Sequence, residues 1–219
     1  MTDDQIHKAA AVLKKGGAVV FPTDTAYGLA VDATNPKAVS HLYRIKAIKH
    51  PKPELVIFPN IRQAAKIVHF PKSAKVLVKD YWPGPLTLVL TVRSKAKIWK
   101  VLGAGGGTLG IRNPNNKTAL ALAKALNRPI TATSANLTGH PASYSVADVK
   151  KDFAKAELKP DFYLDGGKLK KIQPSTIVAI DKNQIQLVRE GPIPFSEIKQ
   201  KIKCCIGTTT ISAATSAKR

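Results

Sequence analysis

The chain has 219 residues, 44% hydrophobic and 22% charged, with 35 Lys and Arg against 14 Asp and Glu, a formal net charge of +21. That length supports one substantial core, and that composition excludes disorder or a fibrous repeat across the main body. The charge favours anionic partners such as nucleic acid, nucleotides or phosphate-bearing substrates, although the lysines are spread along the chain and do not gather in one arm.

The start, MTDDQIHKAA, has neither an apolar targeting core nor an Arg-rich transit pattern, and no apolar run reaches the ~20 residues that span a bilayer. Residues 3–15 then predict a helix. Asp3 and Asp4 suit its N-terminus, Lys14 and Lys15 its C-terminus, and Gly16-Gly17 stop it. AVVFPTDT (18–25) is an apolar strand that ends on a polar loop, and Val39, Leu42, Tyr43 and Ile45 give 36–49 helical spacing. ELVIF (54–58) predicts a short buried strand. Helices follow over 61–70 and 73–82, broken by Pro71 and then by WPGP. PLTLVLTV (85–92) is a strand, and GAGGGTLGIRNP (103–114) a glycine-rich loop leading into a short one. KTALALAKALN (117–127) is a helix and PITATSAN (129–136) the next strand. Residues 145–153 predict a helix, 161–167, 175–181 and 184–191 predict strands, and 195–203 a last helix. From Cys204 onward there is no periodicity, so a loosely attached tail is expected.

This order has no regular βαβ repeat, which predicts a single α/β domain with a mixed, twisted open sheet. Several strands end on polar loops: PTDT, GIRNP and TSAN. Ligands in open α/β sheets bind where strand ends meet loops, so these three form one site if they gather at one edge.

Each candidate also has a plainer reading. Thr23, Asp24, Thr25 and Tyr27 either hold a polar ligand or satisfy a turn. GAGGGTLG lacks the Lys-Ser/Thr ending of a P-loop and reads as a flexible loop or lid. Lys46, Lys49 and Lys52 supply helix C-terminal charge or point charges to a polyphosphate. Arg112 and Arg189 are single arginines leaving apolar strands, either forks for a carboxylate or phosphate or members of surface ion pairs. The five histidines and the adjacent Cys204 and Cys205 show no metal-ligand spacing and no disulfide framework, so no metal site and a reduced, cytoplasmic protein are expected. Ser134 does not sit in a G-x-S-x-G elbow, which argues against a serine hydrolase.

Taken together, GGAVVFPTDTAYGLAVDA, KAIKHPKPELVI, WPGPLTLVL, LGIRNP, TATSANLTGHPA, PSTIVAI and LVREG, in this order from Gly16 to Pro192, resemble the YrdC/Sua5 family of L-threonylcarbamoyladenylate synthases. The resemblance implies a twisted open sheet with helices around a concave basic cavity. It divides the chain into a YrdC-like catalytic domain over 1–203 and a flexible C-terminal tail over 204–219. It implies condensation of L-threonine, bicarbonate or CO2 and ATP, with Mg2+, into threonylcarbamoyl-AMP and pyrophosphate. A partner transferase then modifies adenosine 37 (t6A) of ANN-decoding tRNA, and tRNA itself is an implied partner.

Within the family pattern K-x-R, P-L and S-x-N, the matching residues are Lys46, Pro53, Ser134 and Asn136. The resemblance implies Lys46, Ser134 and Asn136 as catalytic groups. It assigns Lys46, Lys49, Thr133, Ser134, Asn136, Ser175 and Arg189 to ATP and its phosphates, and Thr23, Thr25, Tyr27 and Arg112 to threonine. The 103–110 loop is expected to exclude water from the labile adduct. Two positions depart from the pattern: Ile48 stands where the family carries Arg, and Glu54 where Leu follows the Pro. Lys49 or Arg44 would then have to supply the missing charge. The alternative is a basic RNA-binding domain of the same fold, or a divergent paralogue without full activity. Against a base-stacking surface stands the aromatic content of 6%.

Overall fold

The computed structural model describes residues 1–49, 53–95, 97–103, 105–181, 184–206 and 210–213. Helix α1 (Asp3–Lys14) begins on a capping box: Thr2 accepts the Gln5 N–H, and the Gln5 side chain accepts the Thr2 N–H. Its buried face of Ile6, Ala9, Ala10 and Leu13 packs with Ala119, Leu122, Ala123 and Leu126 of α6 (Lys117–Leu126). Asn127 ends α6 in the left-handed conformation at φ 53°, which Asn tolerates better than most residues.

The run after Ala18 is a hairpin. Strands β1 (Val19–Pro22) and β2 (Tyr27–Ala30) pair antiparallel around the 23–26 loop. All eight residues are buried, so the alternation that announces a half-exposed strand is missing and β2 was not legible. These strands belong to a four-stranded sheet ordered β7 (Thr133–Ser134), β2, β1, β8 (Phe162–Tyr163). A second sheet of seven strands runs β11 (Thr210–Ala213), β10 (Gln184–Arg189), β9 (Thr176–Asp181), β4 (Leu86–Thr91), β5 (Thr108–Arg112), β3 (Leu55–Ile57), β6 (Ile130–Thr131). The mixed α/β class is as expected, but it is built on two mixed sheets where one was expected.

The reason lies at 129–136. That predicted strand divides at Ala132: β6 joins β3 of the large sheet, and β7 joins β2 of the small one. The Ala132 N–H donates to Leu55 O on one side, and the Thr131 N–H to Val31 O on the other. The buried Thr131 hydroxyl accepts from Val31 N and donates to Leu29 O. One short segment therefore stitches both sheets, and TSAN emerges at their seam.

Helix α2 (Pro36–Ile45) is shorter than its periodicity suggests, because Ala47 turns the chain at φ 52°. Helices α3 (Ile61–Ile67) and α4 (Lys72–Tyr81) follow as expected, while α5 (Lys97–Leu102) had no clear sequence signal and buries Trp99 and Leu102. The remaining helices are α7 (Val146–Asp152) and α8 (Phe195–Ile206).

The C-terminal boundary needs correction. Helix α8 runs on through Cys204 and Cys205, both exposed, and Thr210–Ala213 pairs parallel with β10. A division between residues 203 and 204 cuts a helix anchored by Phe195, Ile198 and Ile202, and an edge strand held by backbone bonds needs no apolar periodicity. Residues 207–209 and 214–219 of the expected tail lie outside the described residues. No described helix is long and apolar enough to cross a membrane.

Helix α8 is tied to α4 by Tyr81 Oη donating to Glu197 Oε1 at 2.8 Å and by Lys201 with Asp80 at 2.6 Å. Burial first, then Glu197, pushes the Tyr81 phenol up to about 12. A raised phenol stabilises the fold below its unfolded value near 10 and loses that contribution as pH rises through about 12. Tyr81→Phe is expected to lower the urea midpoint by the equivalent of ~0.5–1 kcal/mol at neutral pH and to flatten the stability loss between about pH 10 and 12. Identical urea curves for the two proteins across that range would refute the role given to the bond.

Candidate active site

The 23–26 loop is held by its own hydroxyls. Thr23 Oγ1 accepts the N–H groups of Thr25 and Ala26 and donates to Ala26 O at 2.7 Å. This satisfies the turn and presents Asp24 and Thr25 toward β5. Arg112, at the end of β5, is 6% exposed and makes three separate bonds: Nη2 to Asp24 Oδ1 at 2.6 Å, Nη1 to Thr25 Oγ1 at 3.1 Å, and Nε to Gly84 O at 3.2 Å. Asp24 Oδ2 also accepts the Asn115 N–H. Burial pulls the Arg112 guanidinium below its ordinary value, Asp24 works against that, and the nearby positive Arg189 adds to it. Both arginines stay charged.

Arg189 leaves β10 and donates from Nε and Nη2 to Ser175 O, at 3.2 and 2.8 Å. Its Nη2 also reaches Ser175 Oγ, which shares a bond with Thr87 Oγ1 at 2.8 Å. Burial lowers the Arg189 guanidinium as well. Ser175 immediately precedes β9, which aligns it with Ile177 on one face of that strand.

These groups meet in one cavity of about 310 Å³ at the seam of the two sheets. Its wall includes Thr23, Thr25, Tyr27, Arg112, Thr133, Ser134, Ser175 and Arg189, eight of the residues read from the sequence as site candidates. The PTDT, GIRNP and TSAN loops therefore do converge. Glu54, Ile57, Tyr144 and Ile172 also line it. Their part was not legible, because each sits in an ordinary apolar or turn context.

Other candidates lie elsewhere. Lys46 is 5% exposed and off the wall; its Nζ donates to Ser134 O at 2.5 Å and to Asn136 O at 2.7 Å, with Asn136 Oδ1 at 3.5 Å. It thus supports the 134–136 shelf from behind, beside the buried Asn136. The Tyr27 hydroxyl is taken by the 165–167 turn, donating to Gly167 O at 2.7 Å and accepting the Gly166 N–H at 2.9 Å. Lys49 and Arg44 are exposed and off the cavity wall, so neither replaces the charge missing at the half-buried Ile48. Lys52 lies outside the described residues.

No described residue of the glycine loop lines the cavity. Its glycines have backbone causes. A Cβ at Gly103 would stand 2.1 Å from Thr108 O, and Gly105 and Gly107 hold positive φ. The expected lid is not formed by these residues.

The charged groups among the described lining residues are Arg112, Arg189 and the 5% exposed Glu54. With Asp24 neutralising Arg112, the wall is richer in hydroxyls and less basic than the net charge of the chain suggested. Among the described residues no group of three or more His, Cys, Asp or Glu side chains could hold a metal ion.

Strand ends of two mixed sheets, opening onto a hydroxyl-lined cleft with two fixed guanidiniums, define an α/β protein suited to a small anionic ligand. The chain belongs to the Sua5/YciO/YrdC family: the family model, described as telomere recombination, matches residues 11–191. It is 33% identical over 199 residues to a threonylcarbamoyl-AMP synthase of Pyrococcus abyssi, covering 90% of this chain and 57% of that protein. It is 35% identical over 206 residues to one of Bacillus subtilis, covering 94% and 57%. The crystal structure of P. abyssi Sua5 complexed with L-threonine superposes with a TM-score of 0.86 at 32% identity, covering 97% of this chain and 60% of that one. The chain spans a little over half the length of these relatives.

Proposed function

We propose that the chain is a threonylcarbamoyl-AMP synthase, an ATP-dependent nucleotidyl transferase that condenses L-threonine, bicarbonate or CO2 and ATP and releases pyrophosphate. The observation that carries this reading is the convergence of Thr23, Thr25, Arg112, Thr133, Ser134, Ser175 and Arg189 on one cavity. Relatives in Pyrococcus abyssi and Bacillus subtilis bear the name threonylcarbamoyl-AMP synthase.

The chemistry needs little covalent help. The threonine amine captures CO2 as a carbamate, a carbamate oxygen attacks the α-phosphorus, and pyrophosphate leaves. The protein must align the two reactants and offset developing negative charge. Arg112, already held by Asp24, takes the threonine carboxylate, and Thr25 orients it. Ser134 and Thr133 donate to phosphate oxygens. Arg189 and Ser175 close the nucleotide side.

Mg2+ would come with ATP, the triphosphate supplying most of its oxygen ligands. The donor set fits that mode and not a protein-built cage, since Glu54 is the one carboxylate among the described lining residues and Asp24 is already occupied. Mg2+ would neutralise phosphate charge, held mainly through the triphosphate itself. The product passes to a threonylcarbamoyl transferase that acts on adenosine 37 of ANN-decoding tRNA, in the cytoplasm, with the basic surface open to tRNA.

Pyrophosphate release from ATP should require both threonine and bicarbonate. Release that is indifferent to threonine would overturn the reading.

A further inference from the structure

The turn that carries Asn136 is clamped from two sides, and only one clamp belongs to the site described above. On the inner side Lys46 holds the carbonyls of residues 134 and 136, and its own carbonyl accepts the Thr138 hydroxyl at 2.7 Å. On the outer side stands Asp152, the last residue of α7. Its Oδ2 accepts the Leu137 N–H at 2.6 Å, and its Oδ1 pairs with His140 Nδ1 at 2.5 Å. His140 in turn accepts the side-chain N–H of Asn136 through its backbone carbonyl. The turn also passes through Gly139 at φ 89°.

We propose that Asp152 is a positioning residue for the synthase reaction, fixing the Asn136 amide through Leu137 and His140. This rests on the function proposed above. Asp152 has no contact with the reaction cavity; it lines a separate hollow with Leu137, His140 and Lys155. It pins residues 137 and 140, the two points between which the backbone reverses. Its side chain is 17% exposed, so the Leu137 bond is partly shielded from water, while the bond to His140, itself 52% exposed, lies toward solvent. With Asp152 gone, the His140 carbonyl moves with its loop, and the Asn136 amide loses the partner that sets its orientation. Asn136 is itself buried off the cavity wall, so its displacement reaches substrate through Ser134, whose carbonyl shares the Lys46 ammonium with that of Asn136; misplacing a binding group by about 1 Å can cost about a hundredfold in rate.

The test compares Asp152→Ala and Asp152→Asn in the full chain. Asparagine can still accept from Leu137 and can donate to a neutral His140 ring, so it keeps the clamp without its charge. Asp152→Ala is expected to lose at least tenfold in kcat/KM for ATP with the threonine KM within twofold of wild type. Asp152→Asn should recover to within about threefold. Turnover of Asp152→Ala equal to wild type would overturn the proposal, as would equal losses toward ATP and threonine, or an Asn variant no better than the Ala variant. If the Ala variant does not fold, Asp152→Ser, too short to hold both Leu137 and His140, takes its place under the same criteria.

A second readout separates this inference from the function it rests on. In a 15N spectrum without substrates, the Asn136 side-chain amide signals should move and exchange faster in Asp152→Ala. Unmoved signals overturn the clamp. Moved signals in a protein whose wild type makes no adduct would uphold the clamp and sink the proposed activity.

Discussion

Arg112→Lys is expected to reduce threonine-dependent turnover at least a hundredfold while leaving the protein folded. The guanidinium reaches three acceptors in three directions: Asp24, Thr25 and Gly84 O. An ammonium on a flexible stem keeps the charge but can satisfy only part of that set. Losing two charge-assisted bonds, each ~1.5–3 kcal/mol, corresponds to roughly 10²- to 10⁴-fold in rate if they align substrate. Arg112→Ala would add a stability loss, because the Asp24 carboxylate, 14% exposed, would lose its ion-pair partner and keep only the Asn115 N–H. Breaking one half of a shielded pair costs ~3–5 kcal/mol. Steady-state kinetics with urea unfolding of both variants separates the two effects. A Lys variant within tenfold of wild-type turnover would contradict the role given to Arg112.

Lys46→Met is expected to be at least as damaging, although Lys46 does not line the cavity. The methionine preserves most of the volume but removes the donors on Ser134 O and Asn136 O. Leaving the buried Asn136 carbonyl without its lysine costs ~1–3 kcal/mol, and Ser134 O, which keeps the Asn136 N–H, loses its second donor in the segment that presents Ser134 and Thr133. Loss of a fixed oxyanion or phosphate donor typically costs a factor of ~10²–10³. Turnover should therefore fall by about that factor, with threonine affinity changed less than ATP affinity. Near-normal turnover of Lys46→Met would remove the shelf from the account.

The strand ends were legible from the letters because an apolar run that stops on Thr, Asp, Ser or Asn is a local pattern. That is why Thr23, Thr25, Arg112 and Ser134 stand out as candidates in the sequence, whereas Ser175 follows only from the family resemblance. The division at Ala132 was not legible. Two strands in different sheets, separated by one residue, read as a single β-rich stretch, and only Leu55 and Val31, distant in sequence, separate them.

Side-chain direction was the other gap. Lys46 looked like a phosphate ligand, but its choice of the Ser134 and Asn136 carbonyls depends on a fold contact across some ninety residues. The Tyr27 hydroxyl is claimed by a turn at 165–167 for the same kind of reason. Glu54 gave no local signal either, since a carboxylate beside a proline ordinarily faces solvent; here it is 5% exposed on the cavity wall. The C-terminal strand escaped notice because edge pairing rests on backbone groups that every sequence carries.

The account is tested most directly by a mass spectrum of the products formed from ATP, threonine, Mg2+ and 13C-labelled bicarbonate. It predicts a threonine–carbonyl–AMP adduct that carries the label, accompanied by pyrophosphate and absent when any one substrate is withheld. AMP or ADP without a labelled adduct, or an adduct that forms without threonine, would contradict it.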